Sequence, residues 1–228
     1  MSERVPVITV DGPSGSGKGT VCRIVAQRLG WHLLDSGALY RLVGLKAGQM
    51  GIGLDDAHAL SNIASTLQVE FKSRSSDDLL IFLDNQDVTS LIRLEEAGYA
   101  ASKVAQYQCV RDALLDFQRN FAKLPGLVAD GRDMGTVVFP CAFLKIFLTA
   151  SREERAKRRY KQLNPNENSG NLAALLREID ERDRRDSSRS VAPLQAASDA
   201  IEIDSTDLSI EQVVSGILSK AKESGLIV

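Results

Sequence analysis

Residues 5–20, VPVITVDGPSGSGKGT, constrain this chain more than any other stretch. Residues 5–10 form a short apolar, β-branched run, which reads as a strand buried on both faces. A glycine-rich turn follows, and then a segment with Val21, Ile24, Val25 and Leu29 at helical spacing before Gly30, which reads as a stop. Strand, glycine-rich turn and helix in that order are the context of a phosphate-binding loop. Gly12, Gly15, Gly17 and Gly19 let the backbone curl around Pro13, Ser14 and Ser16, so that successive N–H groups point at one anion. The helix N-terminus adds its partial positive charge at the same point. Lys18 adds a full charge for terminal phosphate oxygens. Gly19 stands where the GxxxxGK[ST] pattern has a hydroxyl, and Thr20 brings that hydroxyl one residue late, so Thr20 reaches Mg²⁺ directly or through water. A turn that merely joins strand to helix would need no lysine between its last glycines.

The rest of the chain alternates in the same manner. Short apolar runs at 31–34, 127–130, 144–148 and 200–203 read as further strands. Helical patterns fill roughly 39–45, 55–67, 93–122, 151–163, 171–189 and 209–223, the last opened by a capping box, Ser209 to Gln212. Such alternation predicts an α/β fold of the P-loop NTPase type. Its five-stranded parallel sheet carries helices on both faces, joined by right-handed crossovers. Residues 67–88 break the rhythm. Two apolar runs separated by Ser-Ser-Asp-Asp and then Asp-Asn-Gln predict an antiparallel hairpin or three-strand meander. The expected organisation is therefore a core of residues 1–66 and 89–228, a small β insert at 67–88, and a short helical lid at about 152–170 ending in a loop-like Asn/Pro/Ser/Gly segment.

Composition excludes several classes. The 228 residues are 43% hydrophobic and 25% charged, as in an ordinary soluble domain, and no run of eighteen apolar residues is present. The N-terminal segment lacks the basic flank and apolar core of a signal peptide. Three widely spaced cysteines and two histidines give neither a disulfide framework nor a zinc site, and fit a reducing cytoplasm. A net charge of −2, without interleaved basic and aromatic residues, argues against a nucleic-acid-binding ATPase. A guanine-reading NKxD motif is also missing, which argues against a regulatory switch.

Four segments carry a family resemblance: Asp11–Thr20, LLDSGALYR at 33–41, ADGRDMGT at 129–136, and ERDRRD at 181–186 with Arg189. Nearly end to end, the chain resembles the bacterial cytidylate kinases. The resemblance implies transfer of the γ-phosphate of ATP to CMP or dCMP, and the insert lies where that family carries its monophosphate-binding insertion. By its chemistry alone, Ser36 suits a helix N-cap or a donor to an anion, and Tyr40 and Arg41 follow one turn on. Arg41 reads either as a fork for the acceptor phosphate or as a solvated charge. Asp130, Arg132 and Asp133 end a core strand, the end that faces the ligand in parallel sheets. Arg132 is a second candidate for the acceptor phosphate, Asp133 for the cytosine amino group, and Asp130 for Mg²⁺ through water. An Asp-Gly turn with an internal salt bridge is the plainer alternative.

Ser102 and Arg111 look like ordinary polar helix residues; the resemblance makes them readers of the base. Arg155 and Arg159 share a helix face with Arg152, with Arg158 beside them, and suit either a phosphate-closing lid or a surface laced with Glu–Arg pairs. Arg182, Asp186 and Arg189 lie on one face; the resemblance sends them to the phosphates, the ribose hydroxyls and the base. The last strand runs into Asp204, Ser205 and Thr206, where such kinases seat adenine. The catalytic candidates are Lys18, Arg132, Arg155 and Arg159. The expected partners are small molecules only (CMP, dCMP, ATP and Mg²⁺) with no membrane or nucleic acid, and the chain is expected to act as a monomer. A neighbouring adenylate, uridylate or shikimate kinase shares the loop and the fold, and Ser102, Arg111 and Asp133 are the positions that discriminate.

Overall fold

A computed structural model describes residues 5–73, 79–163, 172–189 and 191–226. The chain divides into two compact units, Met1–Leu34 with Phe121–Val228, and Asp35–Asn120.

The first unit is built on a five-stranded parallel sheet. Strands β1 (Val7–Asp11), β2 (His32–Asp35), β6 (Leu127–Gly131), β7 (Leu144–Thr149) and β8 (Ile201–Asp204) stand in the order β2-β6-β1-β7-β8. The loop-bearing strand β1 is thus central, buried throughout, as its unbroken apolar pattern requires. Helices α1 (Lys18–Leu29) and α8 (Ile210–Glu223) cover one face. Ile8, Val10, Val128, Ile146 and Leu148 pack there against Val21, Val25, Val213 and Ile217. Alternation along β1 sends Thr9 and Asp11 to the opposite face. There a single π-helical turn, Met134–Val138, lies against the strand. Gly30 ends α1 in a left-handed conformation, and α8 opens with the full Ser209–Gln212 capping box, both as the sequence predicts. Helices α6 (Arg152–Leu163) and α7 (Leu172–Ser187) pack together after β7.

The second unit holds α2 (Ser36–Gln49), α3 (Ala57–Ser65), α4 (Glu95–Val104) and α5 (Gln108–Arg119), with α2 on α4 and α3 on α5. Its antiparallel sheet, β3 (Val69–Ser73), β4 (Leu79–Leu83) and β5 (Gln86–Asp87), is the expected meander. Asp84 and Asn85 make the tight turn at positive φ, and Asp84 is ion-paired to Lys46 of α2. The Ser-Ser-Asp-Asp turn predicted before β4 lies outside the described residues, as does the 164–170 part of the expected lid.

Two local expectations change. The stretch 93–122, read as one helix, is a short 3₁₀ turn at Leu91–Arg93 followed by α4 and α5. The break falls at 105–107 because Tyr107 is extended, its hydroxyl donates to Leu54 O at 3.2 Å, and Arg111 donates to Ala105 O at 3.3 Å. At the start of α2 the N-cap is Asp35, whose carboxylate receives Ala38 N at 3.0 Å, rather than Ser36. Among the described residues no helix is long and apolar enough to cross a membrane.

Candidate active site

The phosphate loop leaves β1 at Gly12, which runs so close to β7 that a Cβ would lie 2.0 Å from Leu148 O, at a φ of 148°. Only glycine fits both the space and the conformation. Gly17, at φ 94°, then caps α1, which starts at Lys18. Between these points three of the loop's carbonyls are held by cations. Lys18 Nζ donates to Pro13 O at 2.8 Å, Arg155 Nη1 to Ser14 O at 3.0 Å, and Arg158 Nη1 to Ser16 O at 3.1 Å. Carbonyls occupied in this way leave the polarity of the loop to its main-chain amides, which is what an anion needs.

Lys18 is buried, and burial together with the nearby Arg132 guanidinium lowers its ammonium to about 7, against the pull of Asp130 and Asp11. A lysine held in that state gains from any anion that reaches it. Asp11 is buried as well. Burial pushes its carboxyl up to about 6, although the amides of Met134 and Gly135 donate to it.

Arg132 and Asp133 leave the end of β6, beside the loop strand. Arg132 Nε donates to Asp186 Oδ2 at 3.1 Å, and Arg189 pairs with the other oxygen of the same carboxylate. Burial alone would raise the Asp186 carboxyl, but Arg132, Arg189 and Arg182 hold it below its ordinary value. Asp186 is thus the anionic centre of an arginine cluster, and Asp133, the residue after Arg132, is buried as well.

The arginines of α6 are fastened to α7. Arg155 makes a two-pronged pair with Asp183, at 3.1 and 2.5 Å, and Arg152 pairs with Asp180 at 3.1 Å. Arg158 also donates to Ser205 Oγ at 3.1 Å and Ser205 O at 2.6 Å, tying the segment after β8 to the loop. Arg159 is half-buried on the same helix. Sequence reading gave Asp183 and Asp11 no role, although both stand in segments that carry the family resemblance, and named Ser205 only within the segment expected to seat adenine. Asp183 sits 28 residues from Arg155, one helix away, and nothing local announces that pairing.

A divalent cation has few protein donors available. Among the described residues no group of three His, Cys, Asp or Glu could hold one. A Cβ on Gly19 would lie 3.5 Å from Asp130 Oδ2, so the missing hydroxyl leaves that carboxylate facing the start of α1, with Thr20 half-buried next along. One carboxylate and one hydroxyl, completed by phosphate oxygens and water, are a donor set that suits magnesium.

The second unit gathers the remaining candidates. Tyr40, Ser102 and Arg111 are all buried, and the Arg111 guanidinium lies 5.7 Å from the centroid of the Tyr40 ring. Ser102 Oγ and Arg41 Nε are buried without a hydrogen-bond partner among the described residues, and Arg41 Nη1 reaches Ile92 O at 3.3 Å. Buried polar atoms left open in this way cost stability unless something else meets them. Ser36 is not open: it donates to Gln118 Oε1 at 2.8 Å, a buried partner that the sequence did not suggest.

Comparison with known proteins decides the family. The cytidylate kinase family model matches residues 8–223. The chain belongs to the cytidylate kinase family. A cytidylate kinase from Stutzerimonas stutzeri is 56% identical over 227 residues, 99% of each chain. One from Azotobacter vinelandii is 57% identical over 96% of each chain, and one from Pseudomonas putida 54% identical over the full length of both. Family membership accounts for the full-length match of both units, including the 67–88 insert that the loop motif alone would not predict.

Proposed function

We propose that the chain is a nucleoside monophosphate kinase that transfers the γ-phosphate of ATP to CMP or dCMP, releasing ADP with CDP or dCDP. The observation that carries the reading is the curled Gly12–Thr20 loop around a buried, desolvated Lys18, in a chain matched along its length by cytidylate kinases. The loop amides and Lys18 hold the β- and γ-phosphates of ATP, and the segment at Ser205 and Thr206 lies beside the adenosine. Arg132, Arg182, Asp186 and Arg189 serve CMP, as do Ser36, Tyr40, Arg41, Ser102 and Arg111, and the 67–88 insert is the monophosphate-binding element. Asp133 accepts from the cytosine amino group, and Ser102 and Arg111 read the base edge.

The acceptor oxygen is already anionic, so the chemistry needs neither a covalent nucleophile nor a strong general base. Lys18 and Arg132 stabilise the charge that builds on the transferring group, and Arg155 and Arg159 of α6 add to it. Asp130 and Thr20, through water, would hold Mg²⁺, which supplies further positive charge to the phosphate oxygens. The α6 segment excludes water, so that ATP is not spent on hydrolysis. The chain acts as a monomer in the cytoplasm.

A coupled ADP-release assay across CMP, dCMP, UMP, AMP, GMP and shikimate tests the reading, with thermal-shift measurements alongside. Turnover and stabilisation with CMP and dCMP well above the others is expected. Equal or better turnover with AMP or shikimate would sink it.

A further inference from the structure

We propose that Asp11 is a positioning residue for Arg132: its carboxylate, at the end of β1, receives the main-chain amides of Met134 and Gly135 and so fixes the turn from which Arg132 and Asp133 project. The inference rests on the acceptor role proposed for Arg132.

Asp11 pairs in register with Gly131, the last residue of β6. Beyond Gly131 the chain must leave the sheet, and Arg132 and Asp133 occupy that departure. The next two amides, of Met134 and Gly135, open the π-helical turn and have no partner within it. Each is met by a separate oxygen of Asp11, Met134 N by Oδ1 and Gly135 N by Oδ2, both at 2.8 Å. The other side of the turn closes on Asp133, whose carbonyl receives Val137 N at 2.9 Å and Val138 N at 3.2 Å. Arg132 is therefore held between a carboxylate that fixes its downstream main chain and Asp186, which fixes its Nε.

Two features make Asp11 more than a generic cap. The residue is only 5% exposed, and a carboxylate is an expensive group to bury where a neutral one would serve. Asparagine has a single acceptor oxygen, so it would leave one of the two amides facing an NH₂ donor. An ionised carboxylate offers a separate acceptor oxygen to each amide at once. The register then carries that fixation from the strand that ends in the phosphate loop to the strand that ends in the acceptor arginine.

Asp11→Asn and Asp11→Ser, each checked for folding by urea melts, are assayed for KM and kcat with CMP and with ATP, alone and on an Arg132→Lys background. For both variants KM for CMP is expected to rise about tenfold and KM for ATP to change less than about twofold. On the Arg132→Lys background the further rise is expected to be under about twofold, because both changes act through one guanidinium. Equal rises for both substrates, full additivity with Arg132→Lys, or no change would overturn the inference. Failure of both variants to fold would also overturn it, by making Asp11 a folding residue. A wild-type chain that turns over ATP without saturating in CMP would remove the proposed function and this inference together, whereas the other outcomes leave the function standing.

Discussion

Lys18→Met should make the protein more stable while nearly abolishing its turnover. The ammonium is fully enclosed, and burial with Arg132 nearby brings it from 10.5 to about 7. The unfolded chain therefore binds more protons than the folded one between about pH 7 and 10.5. Stability rises with pH across that window, and the penalty is complete below it. Integrated to pH 7, the penalty is about 4 kcal/mol, and at pH 9 it has fallen to about 2 kcal/mol. Against this stand the hydrogen bonds from Nζ to Pro13 O at 2.8 Å and Ser16 Oγ at 3.4 Å. They contribute about 1 kcal/mol each. Methionine keeps most of the side-chain volume and carries no charge, so the net gain at pH 7 is about 2 kcal/mol. Urea denaturation followed by the fluorescence of Trp31, the chain's one tryptophan, reads it directly. The wild type should gain about 2 kcal/mol between pH 7 and 9, and the variant should lack that slope. Turnover should fall by about a hundredfold or more in the same variant. A variant less stable than wild type at pH 7, or a wild type whose stability is flat from pH 7 to 9, would refute the account of Lys18.

Two further perturbations separate the loop from the arginine cluster. Asp183→Asn removes the charge from the two-pronged partner of Arg155, which also holds Ser14 O. Stability should fall by about 2 kcal/mol, and KM for ATP should rise more than KM for CMP in steady-state assays. Asp186→Asn leaves Arg132 and Arg189 facing a neutral amide in a buried setting. It should cost about 3 kcal/mol at pH 7. Because the wild-type carboxyl titrates below 3.8, its contribution is whole above that value and is lost as pH falls through its depressed range. The two proteins should therefore converge in acid urea melts.

What could be read from the sequence was what short-range rules govern. The β-branched run and glycine-rich turn announced β1, the loop and α1, because each rests on residues within a few positions of one another. The capping box of α8 and the meander of β3–β5 were legible for the same reason. The break between α4 and α5 was not. It depends on Tyr107 reaching Leu54, a contact 53 residues away, and on Arg111 folding back to Ala105 O. Helical periodicity persists through the break, so pattern alone runs the two helices together. The candidate site divides likewise. Lys18, Arg132 and Asp186 have residue types and motif positions that suggest a role, whereas Asp11 and Asp183, in the same motifs, and Ser205 gain theirs only through partners 123, 28 and 47 residues away.

Those distant partners share one electrostatic logic. A loop that curls its amides inward must expose its carbonyls on the outside, and negative ends left bare there would weaken the very field that draws an anion in. In this chain Pro13, Ser14 and Ser16 each give their oxygen to a cation, Lys18, Arg155 and Arg158. Asp183 and Glu154 then pair with the two arginines from the side, and Ser205 accepts from Arg158. The negative ends of these carbonyls are thus offset by cations, two of which are themselves paired to carboxylates. On the proposed function, α6 would contribute to phosphate binding through the loop carbonyls it holds, before any of its side chains touches a phosphate. Replacing either arginine removes a support of the loop as well as a charge, and kinetic losses at these positions are therefore expected in KM for ATP as much as in kcat.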